Sequence, residues 1–328
     1  MKIGVTGASG HIGANLTRVL LEKKYKVRVL EHSDKRAIEG LDVEVLKGSL
    51  DDPQSLDRFC MGLDVVFHLA ARISIGSNSF DTLYKVNVEG TKKVVNSCKK
   101  AGVKRFIYFS SIHALDHYPL DQPVDESRPL VKNSPQAYER TKSISETWVL
   151  SQITDQFEVI VLNPSAIVGP IDYKPSLAGN LLIKMYRGKI PGIIRGGYNW
   201  VDVRDVAEAA SNGIKSGKSG EHYILSGKWV SLKEYAETLQ EVTKKRITKV
   251  MLPFWVARMG VPFIHMWSVL TNQQPLYTNE SLDIVKGGNK NILNNKARKE
   301  LGFNPRPLSE SLKDSSILAQ SMLWIITL

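Results

Sequence analysis

The chain has 328 residues, enough for one large α/β domain or for two lobes that share a core. Its hydrophobic content of 42% is ordinary for a globular protein, whereas its formal net charge of +11 is high. The basic residues are spread over helix-like stretches without a concentrated aromatic-lined stripe, which argues against a nucleic-acid-binding protein and leaves at most a peripheral membrane contact. Cys60 and Cys98 show no CxxC spacing and no nearby His cluster, which argues against a disulfide framework or a metal site and favours a reducing, cytoplasmic location.

The first predicted strand, Ile3–Thr6, leads into a glycine-rich turn and a helix over His11–Glu22. Gly7 allows the tight turn, Gly10 lets the backbone approach a pyrophosphate, and Gly13 lets the helix pack closely on its strand. The unpaired N–H groups at the helix start attract phosphates. Because the first strand begins at Lys2, we expect no signal peptide before the fold.

Short apolar runs then alternate with helical patterns through the first half of the chain. Such runs are typical of parallel strands buried on both faces, so the pattern predicts a doubly wound parallel sheet with right-handed crossovers. The predicted strands are Val27–Glu31, Val43–Leu46, Val65–Ala70, Phe106–Ser111 and Val159–Pro164. Helices are predicted around Ser55–Cys60, in a long stretch ending near Gly102, and around Tyr138.

The segment YERTK places the Tyr138 phenol and the Lys142 ammonium one helical turn apart on one face. The cation is expected to lower the pKa of the phenol and to hold it partly as phenolate near neutral pH.

After Pro164 the texture changes, with frequent Gly and Pro from Gly169 to Gly197 and a mainly helical pattern from Ser231 onward, with loops at Asn272–Pro275 and Gly287–Asn291. We predict a dinucleotide-binding domain over 1–168, to which 200–226 return, and a smaller, discontinuous, mainly helical C-terminal substrate lobe over 169–199 and 227–328. The apolar stretch Met251–Leu270 contains prolines and charged residues, which favours a buried cap helix, with an interfacial patch as the alternative. The final LWIITL is apolar and packs against the body or lies at an interface.

Several motifs resemble the extended branch of the short-chain dehydrogenase/reductase superfamily (the NAD-dependent epimerase/dehydratase family), nearest the dihydroflavonol reductase and 3β-hydroxysteroid dehydrogenase type. They are TGASGHIG, DVVFHLAA, VNVEGT, KRFIYFSS, YERTK, LNPSAIVGP, WVDVRDVAEA and KARKELGF. The resemblance implies a Rossmann sheet and an oxidoreductase that interconverts a carbonyl and a secondary alcohol by hydride transfer.

The resemblance implies a catalytic triad of Ser111, Tyr138 and Lys142. Ser111 polarises the substrate oxygen, Tyr138 transfers the proton, and Lys142 also binds the nicotinamide ribose. His113 lies two residues past Ser111, and we assign it no chemistry.

The resemblance also implies a set of cofactor-binding residues. Glu31 at the end of the second strand favours NAD through the ribose 2′-OH, whereas His32, Lys35 and Arg36 leave NADP as the alternative. Ser49 stands where the family usually has an adenine-binding Asp. The implied set is Gly7, Gly10, His11, Ile12, Gly13, Glu31, His32, Arg36, Ser49, Leu50, Ala70, Ala71, Arg72, Asn87, Lys142, Pro164 and Ser165.

Two other functions stay open at this stage. A nucleotide-sugar epimerase uses the same triad, although SSIHAL lacks the TVYG continuation common in epimerases, and Arg195 and Arg204 offer partners for a second diphosphate. A non-catalytic dinucleotide sensor is disfavoured, since such relatives tend to lose Tyr or Lys of the YxxxK pair. The aromatic residues around Phe254, Trp255 and Trp267 favour an apolar or aromatic small-molecule substrate, and a homodimer is left open.

Overall fold

The computed structural model describes residues 1–32, 34–73, 79–271 and 277–326. The strands are β1 (Lys2–Thr6), β2 (Lys26–Glu31), β3 (Glu44–Lys47), β4 (Val65–His68), β5 (Arg105–Phe109), β6 (Glu158–Pro164), β7 (Ala166–Val168), β8 (Ile193–Ile194), β9 (Gly197–Asp202), β10 (His222–Leu225), β11 (Lys228–Ser231) and β12 (Met251–Leu252).

The helices of the sheet half are α1 (His11–Glu22), α2 (Pro53–Cys60), α3 (Phe80–Tyr84), α4 (Gly90–Lys100), α5 (Ala137–Leu150) and α7 (Val203–Ser216). The remaining helices are α6 (Leu177–Tyr186), α8 (Leu232–Thr243), α9 (Phe254–Thr271), α10 (Asn279–Gly287), α11 (Asn295–Leu301) and α12 (Leu308–Ile326). A π-helical turn over Lys85–Glu89 joins α3 to α4, and a 3-10 turn covers Ile112–Ala114.

The main sheet has seven strands in the order β10-β6-β5-β4-β1-β2-β3, and its neighbouring strands run parallel. The order reverses between β1 and β4, which is the switch point where such sheets bind ligands beyond the carboxyl ends of their strands. The predicted doubly wound Rossmann fold is therefore confirmed.

The chain leaves the sheet after β6 and returns to it through α7 and β10. One apolar core packs α1 and α7 on the sheet, and Leu301 and Phe303 near α11 join it. A separate core holds the second lobe together around Trp200, Tyr235 and Leu239. The exact lobe boundaries stay a prediction, but the core places α11 against the sheet.

The second lobe contains strands that the sequence pattern did not indicate. β7, β9 and β11 form a three-stranded sheet, and β8 pairs with β12. β8 and β12 have two residues each and β7 has three, too few to give a clear alternation, whereas β9 and β11 have six and four.

The expected buried cap helix over Met251–Leu270 is wrong in part. Helix α9 buries one face around Ala257, whereas Trp255 and Phe263 are 65% and 69% exposed. No helix in the described ranges is long and apolar enough to cross a bilayer. The predicted loop at Asn272–Pro275 and the side chains of LWIITL lie outside the described residues, while Gly287–Asn291 does fall between α10 and α11.

Candidate active site

The strand register brings the predicted site residues to one edge of the sheet. Thr6 pairs with Leu30 and with His68, and Phe109 pairs with Leu162, so the residues that follow these strands end side by side. The residues at this edge include Gly7 after β1, Glu31 at the end of β2, Ser49 after β3, Ala70 after β4, Ser111 after β5 and Ser165 after β6.

The glycine turn is packed tightly on the inside and open on the outside. A Cβ on Gly13 would lie 2.2 Å from the Gly7 carbonyl oxygen, and a Cβ on Gly7, whose φ is +74°, would lie 2.7 Å from the Ala70 nitrogen. A Cβ on Gly10 would meet only the Gly7 oxygen, at 3.3 Å. The N-cap residue of α1 is Gly10, which has no side chain to cap the helix, so the N–H groups of His11, Ile12 and Gly13 suit a pyrophosphate.

The His11 side chain has a second contact that its motif did not predict. Its Nε2 lies 3.2 Å from the Gly169 carbonyl oxygen and 3.1 Å from that of Pro170. Asn15, one turn later on α1, donates from Nδ2 to the same Pro170 oxygen at 3.1 Å. The start of α1 is thereby fixed to the segment that begins the second lobe.

At the end of β2, the half-buried Glu31 lies beside the glycine turn, and its carbonyl accepts from the Gly48 N–H at 2.9 Å. His32 is exposed, and Arg36 forms a bidentate pair with Asp34 at 3.0 and 2.7 Å. The Arg36 guanidinium lowers the pKa of Asp34. Sequence reasoning missed Asp34. This second acid forms an ion pair with Arg36, the side chain that could otherwise bind the 2′-phosphate of NADP.

Ser49 and Leu50, which the sequence predicts to lie near the adenine, have structural contacts of their own. The Ser49 hydroxyl accepts the N–H of Asp51 at 3.0 Å, so the residue serves a turn. The Leu50 side chain packs against Gly90, where an added Cβ would come within 3.0 Å of Leu50 Cδ1.

Asn87 lies in the π-helical turn and fixes the strand end that carries Ala70, Ala71 and Arg72. Its Oδ1 accepts from the Arg72 N–H at 2.8 Å, and its Nδ2 donates to the Arg72 carbonyl at 3.0 Å. The same Nδ2 lies 3.2 Å from the Thr141 hydroxyl on α5. π-Helical turns occur often at functional sites, and this one places an amide between the cofactor edge and α5.

The side chains of Ser111 and Tyr138 lie within hydrogen-bonding reach of each other. The Ser111 hydroxyl accepts the His113 N–H at 3.2 Å, which leaves its own hydrogen available to donate. Burial raises the pKa of Tyr138 to about 12, although a hydrogen bond with Ser111 opposes the shift. The expected phenolate near neutral pH is therefore wrong, because burial favours the protonated phenol.

Lys142 is buried and points into the sheet edge. Its Nζ donates to the Phe109 carbonyl at 2.7 Å and lies 5.1 Å from the Tyr108 ring centroid. Burial lowers the pKa of Lys142 to about 8, and the carboxylate of Glu146 opposes that shift. The positive charge of Lys142 is therefore lost as the pH rises through about 8.

Sequence reasoning missed a buried polar cluster that lies next to Ser111 and Lys142. Glu146, fully buried on α5, accepts from Asn163 Nδ2 at 2.9 Å and lies 3.0 Å from His222 Nδ1. Asn163 also donates to the Ser111 carbonyl at 3.1 Å. Burial disfavours the charged form of His222, but its contacts with Glu146 and the Glu126 carbonyl outweigh this effect and raise its pKa. The one signal in the sequence was the i+4 spacing of Glu146 from Lys142.

A second buried chain of hydrogen bonds links the glycine strand to Asn87. His68 Nδ1 lies 2.7 Å from the Thr6 hydroxyl, and its Nε2 lies 2.9 Å from the Thr91 hydroxyl. Thr91 donates to the Asn87 carbonyl at 2.6 Å, so His68 must carry its proton on Nε2. Burial lowers the pKa of His68 to about 3, which keeps this link neutral.

On the other side of the cleft, Pro164 ends β6, and Ser165 reaches toward the second lobe. The Ser165 hydroxyl lies 3.4 Å from Asn199 Oδ1, and its N–H donates to the Leu225 carbonyl at 3.2 Å. His113 lies 3.4 Å from the Glu139 carboxylate. No cluster of side chains in the described ranges is suited to hold a metal ion.

Comparison with known proteins identifies the chain. The model of the NAD dependent epimerase/dehydratase family matches residues 3–226. The chain belongs to this family. NAD is the family's cofactor, and the glycine turn with its uncapped helix start fits that dinucleotide.

Full-length relatives narrow the activity. The chain is 31% identical to a putative dihydroflavonol 4-reductase of Synechocystis sp., with 95% of this chain and 92% of the relative covered. It is 30% identical to sterol demethylase protein B of Methylococcus capsulatus, with 95% and 96% covered. The crystal structure of gox2253 superposes with a TM-score of 0.81 at 30% identity over 98% of each chain. This protein is thus an NAD(P)-dependent oxidoreductase that interconverts a carbonyl and a secondary alcohol by hydride transfer.

Proposed function

We propose that the protein reduces or oxidises an apolar or aromatic small molecule, with Ser111, Tyr138 and Lys142 as its catalytic groups. The observation that carries the proposal is the convergence of a protonated phenol, a serine hydroxyl and a buried lysine at the carboxyl edge of β5 and β6. Ligands of doubly wound sheets bind at this edge, beyond the carboxyl ends of the strands.

The cofactor would be held by backbone groups at one end of the cleft and by side chains at the other. The N–H groups of His11, Ile12 and Gly13 would meet the pyrophosphate, Glu31 the adenosine ribose, and Lys142 the nicotinamide ribose. When bound, NAD(H) supplies or accepts the hydride, which is the step that no side chain can perform.

The side chains of the protein handle the proton. Because its pKa is about 12, Tyr138 carries a proton at neutral pH and can donate it to the oxygen of a carbonyl substrate. Ser111 would orient the same oxygen through its available hydroxyl hydrogen. In the oxidation direction Tyr138 must first lose its proton. The rate of oxidation should therefore increase more than the rate of reduction as the pH rises.

The paired state of Arg204 and Arg258 supports an apolar substrate over a nucleotide sugar, and of the cations considered only Arg195, which is exposed, has no carboxylate partner in the described ranges. Arg204, a candidate partner for a second diphosphate, is engaged by Asp202 at 2.9 and 2.8 Å and by Asp314 at 2.6 Å. Arg258 is paired with Asp283. A second diphosphate needs such cations unpaired. The names of the two curated relatives also refer to a sterol and a dihydroflavonol, and not to a nucleotide sugar.

A thermal-shift screen in the presence of NAD tests the substrate class. We expect stabilisation by apolar ketones or secondary alcohols, followed by turnover seen as a change in NADH absorbance. Stabilisation by UDP or dTDP with none from the apolar compounds would overturn this substrate class and favour an epimerase. A Tyr138→Phe protein that binds the same compounds without turnover is the matched control for binding.

A further inference from the structure

Helix α9 carries an exposed apolar stripe that the function proposed above does not use. The stripe consists of Trp255, Met259, Phe263, Met266 and Leu270, which are 65%, 65%, 69%, 58% and 74% exposed. At about 100° per residue, these positions fall within an arc of about 80° on one side of the helix. Exposed apolar residues are ordinary when scattered, but a continuous row indicates a contact surface.

The opposite face of α9 is already occupied by the core of its own lobe. Ala257 is 3% exposed, Ser268 is 9% exposed, and Val261 packs against the apolar cluster of the lobe. The stripe therefore points away from the lobe and has no further role in holding α9 in place.

A basic segment leads directly into the stripe. Lys244, Lys245, Arg246 and Lys249 are all exposed, and the residues that follow, Val250 and Met251, are 58% and 40% exposed. Within the described ranges none of these four cations forms an ion pair with a carboxylate, and Lys245 lies over the Tyr186 ring at 3.8 Å. Available cations thus continue into exposed apolar side chains along one stretch of chain.

We propose that this face binds the surface of an anionic lipid membrane, with the stripe in the interface and Lys244–Lys249 against the headgroups. A helix with one apolar side that carries Trp and Phe, flanked by available cations, has the composition of a segment that lies in the membrane plane. Each basic residue near an anionic leaflet adds attraction that salt screens. At 1.5 Å per residue, the 18 residues of α9 extend over about 27 Å, so α9 would lie along the surface.

A second copy of the chain fits this face less well. A symmetric contact would join two molecules that each carry a net charge of +11 through a face bordered by exposed basic residues, and the like charges oppose it. Anionic lipid removes that repulsion, whereas a second copy adds to it.

Co-sedimentation of the full chain with vesicles tests the proposal. One set of vesicles is phosphatidylcholine alone, and in the other about a third of the lipid is phosphatidylglycerol. We expect binding to the second set that weakens as salt is added, with little binding to the first. The triple variant Trp255→Ser, Met259→Ser, Phe263→Ser should lose at least ~10-fold in partitioning because three apolar side chains no longer enter the interface. The double variant Arg246→Gln, Lys249→Gln removes two of the four cations, so its binding to the anionic vesicles should be weaker and less sensitive to salt than that of the parent.

The matched control replaces exposed apolar residues away from α9, Met61→Ser and Tyr118→Ser, which are 66% and 65% exposed, and it should bind like the parent. NADH binding by each variant reports whether the chain is folded, independently of the lipid result and of the substrate. The proposal is overturned if the parent binds neither set of vesicles, or if the triple variant binds as the parent does. It is also overturned if light scattering shows a dimer of the parent that the triple variant loses, since the face would then be an interface between copies.

Discussion

The two ends of the cleft are built in different ways. At the glycine turn the proposed binding groups are backbone N–H groups, and the side chains matter by their absence, as at Gly13, where a Cβ would meet a carbonyl oxygen at 2.2 Å. At the proposed catalytic end the groups are side chains, the half-buried Tyr138 and the buried Lys142, whose pKa values depend on desolvation and on neighbours such as Glu146. Substitutions that add a side chain should therefore have the larger effect at the glycine turn. Substitutions that change a charge should have the larger effect near Tyr138 and Lys142.

The largest effect is expected at the catalytic end. Tyr138→Phe removes one hydroxyl and should lower turnover by ~10²–10⁴-fold, because the substrate oxygen loses its proton donor. NADH affinity, measured by fluorescence titration, should stay near that of the parent. Lys142→Met should reduce both turnover and affinity, since Lys142 is proposed to touch the ribose as well. A Tyr138→Phe protein with parental turnover of an authentic substrate would remove the triad from the proposal.

Two glycines of the turn should lack a side chain for different reasons. Gly13 leaves room for the fold, and Gly10 is proposed to leave room for the cofactor. Gly13→Ala forces a Cβ onto the Gly7 carbonyl and should destabilise the protein by about 2 kcal/mol or more, measured by urea unfolding. Gly10→Ala meets only a 3.3 Å contact, so it should fold nearly as the parent does and lose ~10-fold or more in NADH affinity. Equal loss of stability in both variants would contradict the assignment of Gly10 to the pyrophosphate.

The same contrast explains how much could be predicted from the sequence. The glycine turn and the YxxxK pair are local patterns, so the sheet, the helix over His11–Glu22 and the motif residues could be read directly. The contact of Glu146 with His222 joins residues far apart in the chain, and it needs both the pairing of β10 with β6 and the position of α5 on the sheet. The expected phenolate at Tyr138 failed for the same reason, since its pKa is set by burial that no spacing reveals.

A smaller effect should come from charge behind the triad. Glu146→Gln removes the carboxylate that raises the pKa of Lys142, so that pKa should fall further below its present value of about 8. If activity needs charged Lys142, the alkaline limb of the kcat/KM profile should move to lower pH, with a loss of ~3-fold near pH 8. Glu146→Asp keeps the charge and should restore most of the limb, whereas a merely structural role would lower activity at every pH alike.

The smallest effect is expected where the adenosine of the cofactor is proposed to bind, and it concerns the preference between NADH and NADPH. We expect the parent to bind NADH more tightly than NADPH, because Glu31 and Asp34 oppose a 2′-phosphate and Asp34 holds Arg36 at 2.7 Å. Asp34→Ala should release that guanidinium and shift the NADPH/NADH affinity ratio a few-fold toward NADPH, by ~3–5-fold for an exposed charge. Asp42→Ala makes the same change in net charge at an exposed acid that the cofactor is not proposed to contact, and it serves as the control. An equal shift in both variants would mean that net charge alone is sensed, and a preference of the parent for NADPH would transfer the recognition role from Glu31 to His32, Lys35 and Arg36.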